Sequence, residues 1–240
     1  MKSCRIAIAI LSTIAAIAAR AEERLPTIPP AQYTEEQKQA AADFESARKV
    51  PVFGPFEPLM YSPQVMSQAR AMGDYLRYKS AIGNTLSELV ILITAREWTQ
   101  DYEWAVHYPI ALKAGIRKEV ADDIAVGRRP TAMSPDEETV FDFTSELLRN
   151  EQVSDATFER AKSRLGMKGV VDMTGIVGYY TFLACSSTSR STRSQWTERS
   201  FADYLASSKF LGKQLRSEQQ LSRYQFAQSK DTFWPGADAR

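Results

Sequence analysis

A single histidine, His107, and only two cysteines, Cys4 and Cys185, are spread over 240 residues. A transition-metal site draws three or four ligands from His, Cys and carboxylates. A histidine-rich metal centre is therefore excluded, and no metal or other cofactor is expected. Glycine is sparse and scattered, so no Gly-rich phosphate loop, nucleotide fingerprint or G-x-S-x-G turn is present. Charge of one sign is not in excess: 30 Lys and Arg oppose 29 Asp and Glu, for a net +1. Nucleic-acid binding needs a basic surface, so no nucleic-acid partner is expected. With 44% hydrophobic and 25% charged residues, the composition is that of an ordinary globular protein.

Long apolar runs are also lacking, except at the start. Lys2 and Arg5 precede the apolar stretch Ile6 to Ala19, and Ala19-Arg20-Ala21 fits an A-x-A cleavage site. The stretch is shorter than the roughly 20 residues of a membrane span and reads as a secretory signal peptide over residues 1–21. The expectation is a periplasmic or secreted protein with no membrane attachment after cleavage. Cys4 leaves with the signal, so Cys185 is then the one remaining thiol. An internal disulfide and a dithiol redox cycle within one chain are both impossible.

Residues 22–62 are Pro-rich at both ends and read as an arm that wraps the domain or a neighbouring subunit. Within it, Thr34 to Lys49 predicts a helix with Thr34 as N-cap and Glu35 and Glu36 in its first turn. Residues 63–185 carry helical periodicity. Val65, Ala69, Met72 and Leu76 predict one buried face. Ser87 to Glu97 is apolar all round, β-branched but capped by Ser87, and predicts a buried helix. A helix from Tyr102 to Ala114 should kink or break at Pro109 and stop at Gly115. Lys118 to Val126 predicts a short helix. Ser134-Pro135-Asp136-Glu137 marks a strong helix start, Ser154 caps the next helix, and Gly169 to Ala184 forms the last. No strand–turn–strand signal is present, so the fold class is all-α.

Residues 186–240 differ in character. They hold 11 serines in 55 positions, against 9 in the 164 residues from 22 to 185, and their apolar period fades. One reading is a disordered extension. Another is a shifted reading frame, since displaced serine codons would encode apolar residues continuing the preceding helix. The gene sequence decides between them.

His107 carries the chemistry that the sequence offers. Glu103 stands one helical turn before it, so the two share a face, and Glu88 begins the preceding buried helix. A carboxylate beside an imidazole fixes its tautomer and makes it a candidate general acid or base. Taken alone, such an i, i+4 pair is more often structural, and Glu88 by default a partner of the helix dipole. Tyr102, Trp104 and Tyr108 add aromatic surface.

The segments Glu88-Leu-Val-Ile-Leu-Ile-Thr-Ala-Arg96, Tyr102-Glu-Trp-Ala-Val-His107 and Ala111-Leu-Lys-Ala-Gly115, with Gly178-Tyr179-Tyr180 later, resemble the carboxymuconolactone decarboxylase family. The resemblance implies an alkylhydroperoxidase-D-like (AhpD-like) helical bundle and homo-oligomers such as trimers or hexamers. The hydroperoxidase branch carries a glutamate, then Cys-x-x-Cys, then a histidine. Laid on this chain, the glutamate and histidine fall on Glu88 and His107, and the two cysteines on Gln100 and Glu103. Neither can supply the thiolate that attacks a peroxide. The decarboxylase branch needs no dithiol and implies acid–base removal of carbon dioxide from a small carboxylated lactone. His107 would donate the proton, Glu103 would tune it, and Glu88 would position it. Arg96 is the expected carboxylate anchor, with Gln100, Tyr102 and Trp104 as further substrate contacts. Two alternatives stand beside this lyase: a hydroperoxidase-related protein without the dithiol, and an exported helical binding protein without activity.

Overall fold

The computed structural model describes residues 23–190, so the expected signal peptide and residues 191–240 lie outside the described residues. Among the described residues seven α-helices follow in order: α1 (Glu35–Arg48), α2 (Pro63–Tyr78), α3 (Gly83–Glu97), α4 (Asp101–Lys113), α5 (Lys118–Ala125), α6 (Pro135–Asn150) and α7 (Asp155–Arg190). Among the described residues there is no strand, and no helix is long and apolar enough to cross a membrane. The all-α expectation holds for the described residues.

The centre is α3. Leu89, Val90, Ile91, Leu92 and Ile93 are all buried, and the helix packs on α2, α4, α5, α6 and α7. An apolar surface on every side is what a helix needs to be surrounded. The helix begins earlier than the sequence suggests, at Gly83, and Ser87 is not its cap. Ser87 sits inside the helix with a buried, unpartnered hydroxyl. Thr34 and Ser134, in contrast, do cap, each within a reciprocal capping box with Gln37 or Glu137. Ser154 accepts from the Thr157 N–H at 3.4 Å.

Three other local expectations shift. Helix α4 runs unbroken through Pro109. The proline removes one hydrogen bond, but the backbone bonds resume beyond it, with the Ala114 N–H donating to Ile110 O. On α2 the buried face is Met66, Ala69, Gly73 and Leu76, while Val65 and Met72 are exposed. The stripe is turned because Tyr179 of α7 presses on Gly73, where a Cβ would overlap its phenol. Finally, α7 contains a non-helical residue, Gly166 (φ 72°), which separates its first turns from a long second stretch. That stretch continues past Cys185 to Arg190.

The N-terminal arm lies on its own domain. Helix α1 packs on α2, and Phe44, Phe53 and Phe56 form a mutual edge-to-face cluster with centroids 5.0–6.0 Å apart. Burying rings in this way contributes about 1.5–3 kcal/mol each. The far end of α7 fastens the arm: Arg190 pairs with Glu23 at 2.9 Å and Glu57 at 2.8 Å.

Candidate active site

The site grows out of the hairpin formed by α3 and α4. Trp98, Thr99 and Gln100 reverse the chain, with Thr99 at φ 51° and the Gln100 N–H donating to Ala95 O at 2.8 Å. Glu88 and His107 stand at nearly equal distances from this turn, one on each antiparallel helix, so the hairpin sets them side by side. The His107 Nδ1–H donates to Glu88 Oε2 at 2.7 Å. A carboxylate only accepts, so the proton is placed on Nδ1, and Nε2 is left to accept. Its donor is the Tyr180 hydroxyl, at 3.2 Å. Glu103 Oε2 lies 3.6 Å from the same Nε2.

These groups are dry. Glu88, Glu103 and His107 are 1%, 4% and 2% exposed, so bulk water cannot neutralise a change of charge among them. Burial pushes the Glu103 carboxyl above the usual range, against the opposing pull of His107 and Arg77. Its Oε1 has no hydrogen-bond partner. Burial also pushes the Tyr179 phenol up to about 12 and holds Tyr180 well above its ordinary value. Both phenols are thus neutral groups.

Glu103, His107 and Tyr180 line a cavity of about 50 Å³, the space of a very few waters. Tyr102, Val106 and Ile110 of α4 continue its wall, and Arg77 of α2 enters it. Phe53, Pro55 and Phe56 of the arm line it as well, with Arg48. Gly54 is required here, because a Cβ at its φ of 53° would overlap the Tyr102 hydroxyl.

Of the residues singled out from sequence, the structure brings together Glu88, Glu103, His107 and Tyr102. It places three others away from the cavity. The Arg96 Nε–H donates to Ala125 O at 2.8 Å and so ties α3 to the end of α5. Gln100 is buried in the α3–α4 turn. Trp104 is 1% exposed and stacks on Tyr108 at 5.7 Å, as a core residue. Sequence reasoning missed Arg77, Arg48 and the arm residues. Gly73 was the available signal for α2, since a glycine inside a helix one turn before an arginine marks a close approach. Among the described residues no group of three or more His, Cys, Asp or Glu side chains could hold a metal ion.

No curated protein matches the chain. The model of the carboxymuconolactone decarboxylase family matches residues 63–146. That stretch runs from α2 into α6 and contains Arg77, Glu88, Glu103 and His107. Tyr179, Tyr180 and the arm lie outside it. The helical segment that carries the acid–imidazole–acid set is thus the part of the chain that is similar to the carboxymuconolactone decarboxylase family.

Proposed function

We propose that this chain is an exported acid–base enzyme of the lyase type, which removes carbon dioxide from a small carboxylated lactone. The observation that carries the reading is the one imidazole, buried between Glu88 and Glu103 on the wall of a cavity. In the reaction the bond between the carboxylate carbon and the ring breaks. Carbon dioxide leaves, and the electron pair stays behind, delocalised into the lactone's unsaturated carbonyl system. One proton then closes the balance at carbon.

His107 relays that proton: Nε2, which carries none at rest, takes it from the Glu103 carboxyl and passes it to the carbon. Glu88 holds Nδ1, which fixes the ring plane and turns Nε2 toward Tyr180 and Glu103. Burial pushes the Glu103 carboxyl above its usual range, which favours the protonated form that this relay needs, and the proton spent is replaced from water as the product leaves. A dry site strengthens these charge terms and keeps the carbanion from stray proton sources.

Thiol chemistry has no support here. Gln100 and Glu103 stand where the hydroperoxidase branch carries cysteines, and Cys185 is exposed and not among the cavity residues. The reading as a binding protein without activity draws on one observation, the small volume of the cavity. A ring-sized guest is larger than that space, so the walls must give way to admit one. The proposal includes a homo-oligomer. In its favour, Met72, Met167, Val171 and Phe182 expose apolar surface on α2 and α7.

The test incubates purified protein with unsaturated carboxylated lactones and, separately, with organic hydroperoxides, and follows carbon dioxide and peroxide. Release of carbon dioxide that disappears in His107→Ala supports the lyase. Peroxide consumption, or lactone turnover indifferent to His107, overturns it.

A further inference from the structure

Tyr180 is wedged between two other rings. It meets His107 edge-on, with centroids 5.2 Å apart at 90°, and Tyr179 at 5.2 Å and 88°. Helix α7 carries both tyrosines into the site from beyond the stretch that the family model matches. A ring packed in this way keeps its place, but its hydroxyl hydrogen can turn about the C–O bond. At rest that hydrogen points at His107 Nε2, at 3.2 Å. A hydroxyl usually donates at about 2.8 Å, so this bond is long. The bond on the other side of the imidazole, from Nδ1 to Glu88, is 2.7 Å and charge-assisted. Glu88 therefore holds the imidazole, and the Tyr180 bond is the one that gives way.

An unprotonated Nε2 has one lone pair, and the Tyr180 hydroxyl occupies it. Glu103 Oε2, at 3.6 Å, stands outside hydrogen-bond range of the same atom. The resting site is thus blocked: a proton cannot pass from Glu103 through Nε2 while the lone pair is taken. Tyr180 lines the same cavity as Glu103 and His107, so an acceptor oxygen that enters competes for its hydroxyl. Burial holds the phenol well above its ordinary range, so it donates a hydrogen bond without giving up its proton.

We propose that Tyr180 is a catalytic residue that changes partner: its hydroxyl leaves Nε2 for a carbonyl oxygen of the guest, and the imidazole is freed only when the cavity is filled. The inference deepens the acid–base reading of the cavity and rests on it. No covalent bond changes in the exchange; one hydrogen bond is traded for another. Once on the carbonyl oxygen, the hydroxyl faces the negative charge that collects there when the electron pair is left behind. That charge is small in the bound guest and large in the transition state, so the new bond strengthens where it accelerates the step. A small turn of the Glu103 side chain then brings its carboxyl onto the vacated lone pair.

The experiment is nitrogen NMR of the full chain with labelled histidine, whose single imidazole gives one pair of ring signals. The probe is γ-butyrolactone, which offers a carbonyl oxygen and has no carboxylate to lose. Cyclopentane is the ring of equal size without an acceptor. An unprotonated ring nitrogen that loses a donated hydrogen bond moves downfield. Saturating γ-butyrolactone is expected to move the Nε2 signal downfield in wild type, and cyclopentane to leave it in place. In Tyr180→Phe the signal should start downfield, and the lactone should not move it. A wild-type signal that γ-butyrolactone leaves unmoved, through lack of binding or of exchange, overturns the proposal without recourse to a variant. So does an equal shift with cyclopentane, or a lactone-induced shift of equal size in Tyr180→Phe. With a carboxylated lactone that turns over, Tyr180→Phe should lower kcat about a hundredfold with little change in KM. Unchanged kcat there sinks this inference and leaves the lyase reading. Failure of every lactone to release carbon dioxide sinks the lyase reading, and the exchange of partners seen by NMR stands without it.

Discussion

The backbone of Gly54 passes directly against the hydroxyl of Tyr102, so that the arm is seated on α4 at the rim of the cavity. One residue without a side chain thus sets how tightly the cavity is closed. Gly54 also holds φ at 53°, a region that L side chains adopt at a cost of about 1–3 kcal/mol. Gly54→Ala should destabilise the protein by at least about that amount in urea titration. Replacing Tyr102 by leucine in the same chain should recover the steric part and leave the backbone part. Strict additivity of the two changes would argue against the contact.

Glu103 makes stability fall as pH rises. Its folded pKa is raised, so the folded state holds its proton when the unfolded state has already released it. The stabilising contribution is complete below the unfolded value of about 4.3. It is lost as pH climbs from there through the raised folded value. Glu103→Gln removes the titration, so its stability relative to wild type should improve between acidic and mildly alkaline pH. Thermal melts of both proteins across that range check this. A difference independent of pH would show that Glu103 does not titrate on folding.

Glu88→Gln keeps the shape of the pair but leaves a buried amide N–H₂ facing no acceptor. The pair is 2.7 Å apart and almost wholly buried, so solvent offers no relief. A loss of about 1–3 kcal/mol is expected from chemical denaturation. A change within a few tenths would mean that the contact carries no stability.

Arg190 is half-exposed, and its ion pairs with Glu23 and Glu57 should contribute no more than about 1 kcal/mol to global stability. The local effect is larger, because the same guanidinium also donates to the Thr27 hydroxyl at 2.9 Å, beside the bond from the Arg24 N–H to the backbone carbonyl of residue 190 that it steadies. In Arg190→Ala the segment around Arg24 should open more often. Limited trypsin digestion should cut there faster, with little change in the thermal midpoint. Equal cutting rates in the two proteins would remove the clasp.

Elements with a strong local signal were legible in sequence. Thr34 with Gln37 and Ser134 with Glu137 satisfy orphan N–H groups at helix starts without help from elsewhere. Glu103 and His107 share a helix face by spacing alone. Where a distant partner decided the outcome, sequence was a poor guide. The α2 stripe was turned by Tyr179, Ser87 was taken inside α3, and α4 runs through Pro109 with its backbone bonds resuming beyond it. Arg96 is the anchor expected from sequence, and Arg77 was missed. Only packing sends one to the Ala125 carbonyl and the other to the cavity.

The sequence alone determined that the described chain is helical, that it offers one imidazole, and that residues 23–190 hold a single thiol. Apolar period, capping residues and residue counts are local quantities, so they need no fold to be read. The tertiary structure decided that Glu88 meets His107 across a hairpin, that Arg77 enters the cavity, and that the arm lines it. Those facts arise from contacts between residues far apart in the chain, where burial strips away water and fixes which charges face one another.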